Sequence, residues 1–172
     1  VYVGLSIGGL YAARAHLNGS RAEALVLINT LRRDGPRLQW INEALFRCVR
    51  VGGTRLLKDL FAPRLFNEAF LAENRESMLT DEPYEPLPPE HGHYRLLRDG
   101  RSTDWDLPYE QLDVPVIVVT GLEDGMFYDR KDVDRLMGRI PRARPVDVPD
   151  AGHILPAERP EALIEELIRM GK

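Results

Sequence analysis

The stretch Val1-Tyr-Val-Gly4-Leu5-Ser6-Ile7-Gly8-Gly9 decides the fold of this chain. Its first residues are apolar and predict a short β-strand, and a helical pattern over 10–17 follows it. Between them stands Gly-x-Ser-x-Gly, which is typical of a sharp strand-to-helix turn. Such a turn forces Ser6 to a positive φ and requires small residues two positions to either side, because the strand and the helix almost touch there. The sequence therefore predicts that Ser6 stands above the edge of a sheet.

This turn favours a nucleophilic serine. The hydroxyl of Ser6 would lie at the positive end of the following helix, where the backbone N–H of Ile7 is placed to stabilise a developing oxyanion. The alternative is a glycine-rich turn with a purely structural role. A serine is a poor nucleophile without a base, so the hypothesis requires a histidine elsewhere in the chain.

Further apolar runs predict a parallel sheet. A short run that is wholly apolar is typical of a buried parallel strand, and Pro145 indicates that the last strand lies at an edge or that the strand starts there. Strands that alternate with helices indicate an α/β fold with right-handed crossovers. The predicted strands after the first are 24–28, 114–120 and 143–148, and the predicted later helices are 132–138 and 161–170.

The middle of the chain interrupts this alternation. A connection as long as 31–113 without structure would be unusual, so its helical patterns predict a helical insertion over one end of the sheet. A proline-rich loop follows at 81–90. We therefore expect three segments, which are a sheet core over 1–30, a helical cap over 31–113 and the rest of the core over 114–172. The helical patterns are 40–51, 55–61 and 65–79.

Four histidines are available as the base. His153 follows the last predicted strand and precedes the final helix, so its loop can reach a serine at the same edge of the sheet. The alternative for His153 is a solvated loop residue. His16 lies in the first helix, where a surface or packed role is expected. His91 and His93 form His-x-His, but the chain has no third ligand at a matching spacing, so we expect no metal site.

An orienting acid completes the set. Asp124 follows a buried strand in Gly121-Leu-Glu-Asp-Gly125, and Glu123 is its neighbour and rival. A carboxylate there would fix the tautomer of His153 and stabilise the imidazolium. The alternative is that Asp124-Gly125 is only a turn dipeptide. The second strand ends in Asn29-Thr30, without a carboxylate. The resulting chain order is Ser, Asp, His, which is the order of the α/β hydrolases.

On these residues the chain resembles the α/β-hydrolase superfamily, and within it the members with a helical cap. The resemblance rests on 1–9, 114–127 and 146–170. It implies a serine hydrolase that acts without a cofactor on an ester, lactone, thioester or activated carbon–carbon bond of a small, partly hydrophobic substrate. A serine at the turn argues against haloalkane dehalogenase and epoxide hydrolase chemistry.

Specificity would lie in the cap and near the triad. Candidate pocket walls are aromatic or aliphatic residues, for each of which core packing is the alternative role. A perhydrolase or a hydroxynitrile lyase with the same triad is a further alternative, as is a non-catalytic binding module of the same fold. The pocket candidates are Trp40, Phe127, Ile154 and Leu155.

The chain departs from the family pattern at its start. The family fold has about eight strands, with the serine turn after the fifth and a second oxyanion donor near the third. We therefore expect a parent protein cut just upstream of Val1. Because removal of one oxyanion donor typically costs about 100–1000-fold in turnover, we expect the isolated 172 residues to be poorly active and prone to aggregation.

Composition excludes several other functions. The net charge is −4, from 23 basic and 27 acidic residues, which gives no basic face for nucleic acid. No apolar run approaches the ~18–20 residues of a membrane span, and no signal peptide is visible. The single cysteine, Cys48, favours a reducing compartment, so we expect a cytoplasmic protein. The expected partner is a small-molecule substrate, and a homodimer stays open.

Overall fold

A computed structural model describes residues 1–170 and contains one four-stranded parallel sheet. Its strand order follows the chain, with every neighbouring pair parallel. The carboxyl ends of all four strands therefore meet at one edge. The strands are β1 (Tyr2–Leu5), β2 (Leu25–Ile28), β3 (Val116–Gly121) and β4 (Ala143–Val148).

Helices flank the sheet, so the predicted α/β fold class is confirmed. Among residues 1–170, no helix is both long and apolar enough to cross a membrane. A short 3-10 turn at Tyr109–Gln111 precedes β3. The helices are α1 (Ile7–Leu17), α2 (Pro36–Leu65), α3 (Glu68–Met78), α4 (Gly92–Gly100), α5 (Arg130–Met137), α6 (Leu155–Glu158) and α7 (Pro160–Met170).

The two central strands form the core. Every residue of β2 and β3 is buried, as the wholly apolar runs predicted. The last strand lies at an edge, where Pro145 pairs in register with Val118, so the prediction from the proline is confirmed. The central core cluster consists of Val26, Ile28, Ile117, Val119, Val148, Ala151 and Leu155.

The chain divides into two compact units. The first unit contains 1–33, 65–67 and 105–172, and the second contains 34–64 and 68–104. The predicted cap, 31–113, is longer than the second unit, because residues 31–33, 65–67 and 105–113 belong with the sheet. The role of the second unit as a cap stays a prediction.

The second unit is helical, and its longest helix has a kink that lies between two of the predicted helical patterns, 40–51 and 55–61. Helix α2 changes direction at Gly52 and Gly53, where Gly53 has a φ of 65°. A Cβ on Gly53 would lie 2.2 Å from the carbonyl oxygen of Glu85, so only glycine fits. Helix α4 was not predicted, because it follows a proline-rich loop and its N-terminal cap is the side chain of His91, which accepts from the N–H of His93.

Candidate active site

The serine turn has the strained backbone that its sequence predicts. Ser6 has a φ of 54° and a ψ of −123° and stands immediately before α1. Its N–H donates to the carbonyl of Ile28 at 2.7 Å, and the hydroxyl of Thr30 donates to the carbonyl of Ser6 at 3.1 Å. A positive φ at a residue other than glycine costs on the order of 1–3 kcal/mol and persists only where the surroundings hold it. Here the end of β2 and Thr30, two residues beyond it, hold the turn.

Two glycines make this turn sterically allowed, and one of them differs from the expected one. A Cβ on Gly4 would lie 2.3 Å from the backbone N of Gly9. A Cβ on Gly9 would lie 1.9 Å from Thr30 Oγ1, whereas a Cβ on Gly8 would meet no atom within 4 Å. The small residue required after the serine is therefore Gly9 rather than Gly8, because residue 9 faces Thr30 just beyond the end of β2.

Ile7 occupies the place expected of an oxyanion donor. It is the first residue of α1. The N–H groups of a first helical turn have no partner within the helix and point outward from its positive end. A negatively charged oxygen beside Ser6 would therefore be met by the N–H of Ile7.

The predicted acid and base form a buried pair. Asp124 Oδ2 lies 2.6 Å from His153 Nδ1, and the two residues are 3% and 4% exposed. The other oxygen, Oδ1, accepts from the backbone N–H groups of Met126 at 3.0 Å and Phe127 at 2.9 Å. Both carboxylate oxygens are thus engaged, and this fixes the plane of the carboxylate against the imidazole.

These contacts keep Asp124 ionised. Burial by itself raises the pKa of Asp124, but the hydrogen bond and charge of His153, together with the N–H groups of Phe127 and Met126, outweigh it. The pKa therefore lies below the usual value of an aspartate. An ionised carboxylate at Nδ1 directs the proton of a neutral imidazole to that nitrogen and leaves Nε2 as the acceptor.

Asn29 ties the two loops of this pair together. Its side-chain amide donates to the carbonyls of Gly152 at 3.0 Å and His153 at 2.9 Å. Its side-chain oxygen accepts from the N–H of Gly121 at 2.8 Å. Asn29 itself has a φ of 46°, a conformation that asparagine tolerates better than most residues. One buried amide at the end of β2 therefore connects the acid loop and the histidine loop.

A buried carboxylate supports the histidine loop from the other side. Glu158 Oε2 accepts from the backbone N–H of Gly152 at 2.9 Å and from that of Asn67 at 2.8 Å. The N–H of His153 donates to the carbonyl of Leu65 at 2.6 Å. The backbone around His153 is thus fixed by partners from three segments of the first unit.

The hydroxyl of Ser6 is held by an arginine. Arg32 Nη2 donates to Ser6 Oγ at 2.8 Å and to the carbonyl of Asn29 at 2.8 Å. Arg32 Nε lies 3.4 Å from the carbonyl of Thr30, which is a weak contact. Within residues 1–170, no hydrogen bond joins Ser6 Oγ to His153. The structure therefore brings Asp124 and His153 together and bonds Ser6 to a residue that the sequence did not predict.

The guanidinium of Arg32 is buried between two aromatic rings. Its central carbon lies 4.3 Å from the ring centre of Trp105 and 4.1 Å from that of Phe127, and Arg32 is 5% exposed. Burial lowers the pKa of Arg32 to about 10, while Asp124 and Tyr109 partly offset that effect. Arg32 is therefore a cation at neutral pH. Phe127 also packs against the ring of His153, with 4.7 Å between centres, so serine, arginine and the acid–base pair form one continuous cluster.

The four candidate pocket residues lie in different environments. Phe127 lies inside the cluster, and Ile154 is half-buried immediately after His153. Leu155 is fully buried in the core cluster and packs there. Trp40, in the second unit, is 80% exposed. Their role as pocket walls stays a prediction, and for Leu155 the core-packing alternative describes its place in the structure.

Asn29, Thr30 and Arg32 are the residues that sequence reasoning missed. Their signal was their position, since they directly follow a buried parallel strand at the edge where ligands bind in open α/β sheets. Because this position carries no carboxylate, it offered no candidate acid, although its amide, hydroxyl and guanidinium can all form hydrogen bonds.

The His-x-His motif does not form part of a metal-binding cluster among the described residues. Within residues 1–170, no group of three His, Cys, Asp or Glu side chains is arranged to hold a metal ion. His91 and His93 are exposed, with ring centres 5.5 Å apart. His91 serves as the cap of α4.

A parallel sheet with a serine at a strained strand-to-helix turn, and a buried carboxylate–imidazole pair at the same edge, is the arrangement typical of the α/β-hydrolase fold. A family model described as the alpha/beta hydrolase family matches residues 1–166, and the chain belongs to this family. No curated protein matches the chain.

Solved structures agree with this family. A thermophilic esterase from Thermogutta terrifontis with malate bound is 27% identical, with a TM-score of 0.74 over 98% of this chain and 64% of the esterase. A hydrolase from Pseudomonas aeruginosa PA01 is 25% identical, with a TM-score of 0.74 over 97% of this chain and 62% of that chain. The enol-lactonase from Burkholderia xenovorans LB400 is 23% identical, with a TM-score of 0.68 over 97% and 63%, and shows the fold alone. The chain thus spans less than two-thirds of the length of these structures.

Proposed function

We propose that the chain carries the catalytic residues of a serine hydrolase, with Ser6 as nucleophile, His153 as base and Asp124 as orienting acid. The single observation that carries the proposal is the buried 2.6 Å contact between Asp124 and His153 at the sheet edge where Ser6 stands on its strained turn. Similarity to an esterase at 27% identity supports hydrolysis of an ester.

The contact with Arg32 is compatible with this role. A guanidinium only donates hydrogen bonds, so Ser6 Oγ accepts from Arg32 and keeps its own proton to donate. That proton can be passed to Nε2 of His153 when the two side chains come within hydrogen-bonding distance. Hydrogen bonds between catalytic groups are often long or misaligned in unliganded enzymes and tighten when the substrate binds.

The proposed reaction is acyl transfer through an acyl-enzyme. Ser6 Oγ attacks the substrate carbonyl while His153 takes its proton, and the N–H of Ile7 stabilises the oxyanion. His153 then protonates the leaving group. Water, deprotonated by His153, attacks the acyl-enzyme and releases the acid and free Ser6. The substrate class is a small ester, lactone, thioester or activated carbon–carbon bond, and a cytoplasmic location stays a prediction.

A fluorophosphonate probe tests the proposal in the natural polypeptide that carries residues 1–172. We expect covalent labelling at Ser6, which Ser6→Ala abolishes and the exposed control Ser20→Ala leaves unchanged. Hydrolysis of short-chain esters should fall by at least about 1000-fold in Ser6→Ala. Equal labelling of the wild-type protein and Ser6→Ala, or labelling at another residue, would contradict the assignment.

A further inference from the structure

The charge of Arg32 lacks a counter-ion. Arg32 is 5% exposed, and within residues 1–170 no carboxylate forms an ion pair with it. Asp124 interacts with it at longer range, but both Asp124 oxygens are engaged by His153 and by backbone N–H groups. Burial of an unpaired charge is costly, and proteins normally avoid it. Such a cation is expected where a negatively charged group binds.

One end of the guanidinium is open to a ligand. Nη2 is occupied by Ser6 and Asn29, and Nε faces Thr30. Nη1 makes no hydrogen bond within the described residues, and it is not completely buried. It therefore retains hydrogen-bonding capacity for a further partner. The rings of Trp105 and Phe127 hold the guanidinium plane, so this open end is fixed in direction.

The open end lies close to the nucleophile. Because Nη2 is 2.8 Å from Ser6 Oγ and guanidinium-to-carboxylate bonds are about 2.7–2.9 Å, an anion on Nη1 would lie roughly 5 Å from Ser6 Oγ. That separation suits a carboxylate two or three bonds from the carbonyl that Ser6 attacks.

We propose that Arg32 binds a carboxylate of the substrate, so that the substrate is a carboxylate-bearing ester, thioester or lactone such as a half-ester of a short dicarboxylic acid. This inference rests on the proposed function, because it names the substrate class of the same site. Arg32 is then a specificity-determining residue. A planar guanidinium suits a carboxylate better than a lysine ammonium does, because it offers donors in a fixed arrangement.

The proposal is tested with a matched pair of substrates, monoethyl succinate and ethyl succinamate, which differ by a carboxylate and a neutral amide of the same size. In the natural polypeptide we expect kcat/KM to favour the carboxylate by at least about tenfold, since charge-assisted hydrogen bonds are the stronger ones. In Arg32→Met this ratio should fall by about tenfold or more, to near unity, and Arg32→Lys should give an intermediate ratio. The control Arg33→Met removes an adjacent exposed arginine that pairs with Asp132, and it should keep the wild-type ratio.

A second readout does not depend on turnover. Succinate should slow labelling of Ser6 by a neutral fluorophosphonate in the wild-type protein and should have no effect in Arg32→Met. Melting curves show whether the variant is folded.

The outcomes separate the two proposals. If Ser6 labels but the wild-type protein shows no preference for the charged ester, or if Arg32→Met leaves the ratio unchanged, Arg32 does not select the substrate and only this inference fails. An equal loss on both esters, with the ratio kept, would make Arg32 a support of Ser6 and would also overturn the inference. If Ser6 does not label at all, the proposed function fails and this inference fails with it.

Discussion

The Asp124–His153 pair and the Ser6–Arg32 pair lie at the same edge of the sheet but are stabilised in different ways. Asp124 and His153 are hydrogen-bonded to each other and buried, and their loops are fixed by Asn29 and Glu158. The side chain of Ser6 is held by a buried cation instead. Its backbone is fixed, whereas its hydroxyl accepts a hydrogen bond from a group without a counter-charge.

The two pairs therefore differ in whether they need a ligand to stabilise them. The acid–base pair is held by its own hydrogen bond and by backbone N–H groups, and it does not need a ligand to stabilise it. The serine–arginine pair contains an unbalanced positive charge, which a ligand would neutralise. A preorganised pair and a pair that awaits a ligand should therefore respond differently to substitution.

Asp124→Asn should have the largest effect. The amide can no longer hold the Nδ1–H tautomer of His153, so Nε2 is lost as an acceptor and kcat should fall by about 10⁴-fold while the fold is kept. Ester hydrolysis and probe labelling of the natural polypeptide measure this. The matched control is Glu123→Gln, which removes the neighbouring exposed carboxylate and should keep wild-type turnover within about threefold. A similar loss in both variants would remove Asp124 from its assigned role.

Asn29→Asp tests the connection between the two loops. Aspartate keeps the tolerance for a positive φ and can still accept from Gly121, but an ionised carboxylate cannot donate to the carbonyls of Gly152 and His153. Because buried carbonyls would then face a buried charge, we expect the free energy of unfolding to fall by about 2–4 kcal/mol. Urea denaturation measures it.

The exposed control for that experiment is Asn18→Asp, at the end of α1, which should change stability by less than about 1 kcal/mol. A loss no larger in Asn29→Asp than in this control would show that the loops are held without the amide.

The sequence predicted the backbone of the site better than its side-chain contacts. Gly4, Ser6 and the runs that became β2 and β3 carry strong local signals, since each is dictated by steric limits or by burial on both faces. Asp124 and His153 were found because the ends of parallel strands converge. Local chemistry and topology were sufficient for these.

Arg32 could not be predicted in the same way. An arginine two residues beyond Thr30 is expected to reach water, and its burial depends on Trp105 and Phe127, which are far from it in the chain. The three residues meet only after the sheet has formed. Helix α4 was missed for a local reason, because a histidine cap is uncommon and carries no clear start signal.

The pKa of Asp124 leads to a pH-dependent stability. Its value in the folded state lies below its ordinary value, so the folded protein binds fewer protons than the unfolded chain in that interval. The stabilising contribution is therefore complete above about pH 4 and is lost as the pH falls through the folded value. The difference in unfolding free energy between the wild-type protein and Asp124→Asn should shrink on acidification. Urea titrations between pH 3 and 7 measure it, and a difference that stays constant or grows would contradict the assigned shift.

Among the substitutions at the site, Arg32→Met should have the smallest effect on the free energy of unfolding. The variant removes a buried charge whose pKa is depressed by desolvation, and methionine can fill the space between Trp105 and Phe127. Replacement of a buried ion by an apolar side chain of similar length is often neutral or stabilising. We therefore expect the unfolding free energy to stay within about 1 kcal/mol of the wild-type value or to rise, as it should for the exposed control Arg33→Met.

A loss of unfolding free energy above about 2 kcal/mol in Arg32→Met, but not in Arg33→Met, would identify Arg32 as a structural support of the serine turn through its bonds to Ser6 and Asn29. With no such loss, the cost of burying this cation is not recovered in the stability of the fold. Binding of a ligand would then have to offset this free-energy cost. A buried charge that does not stabilise the fold is expected only where a ligand of opposite charge binds it.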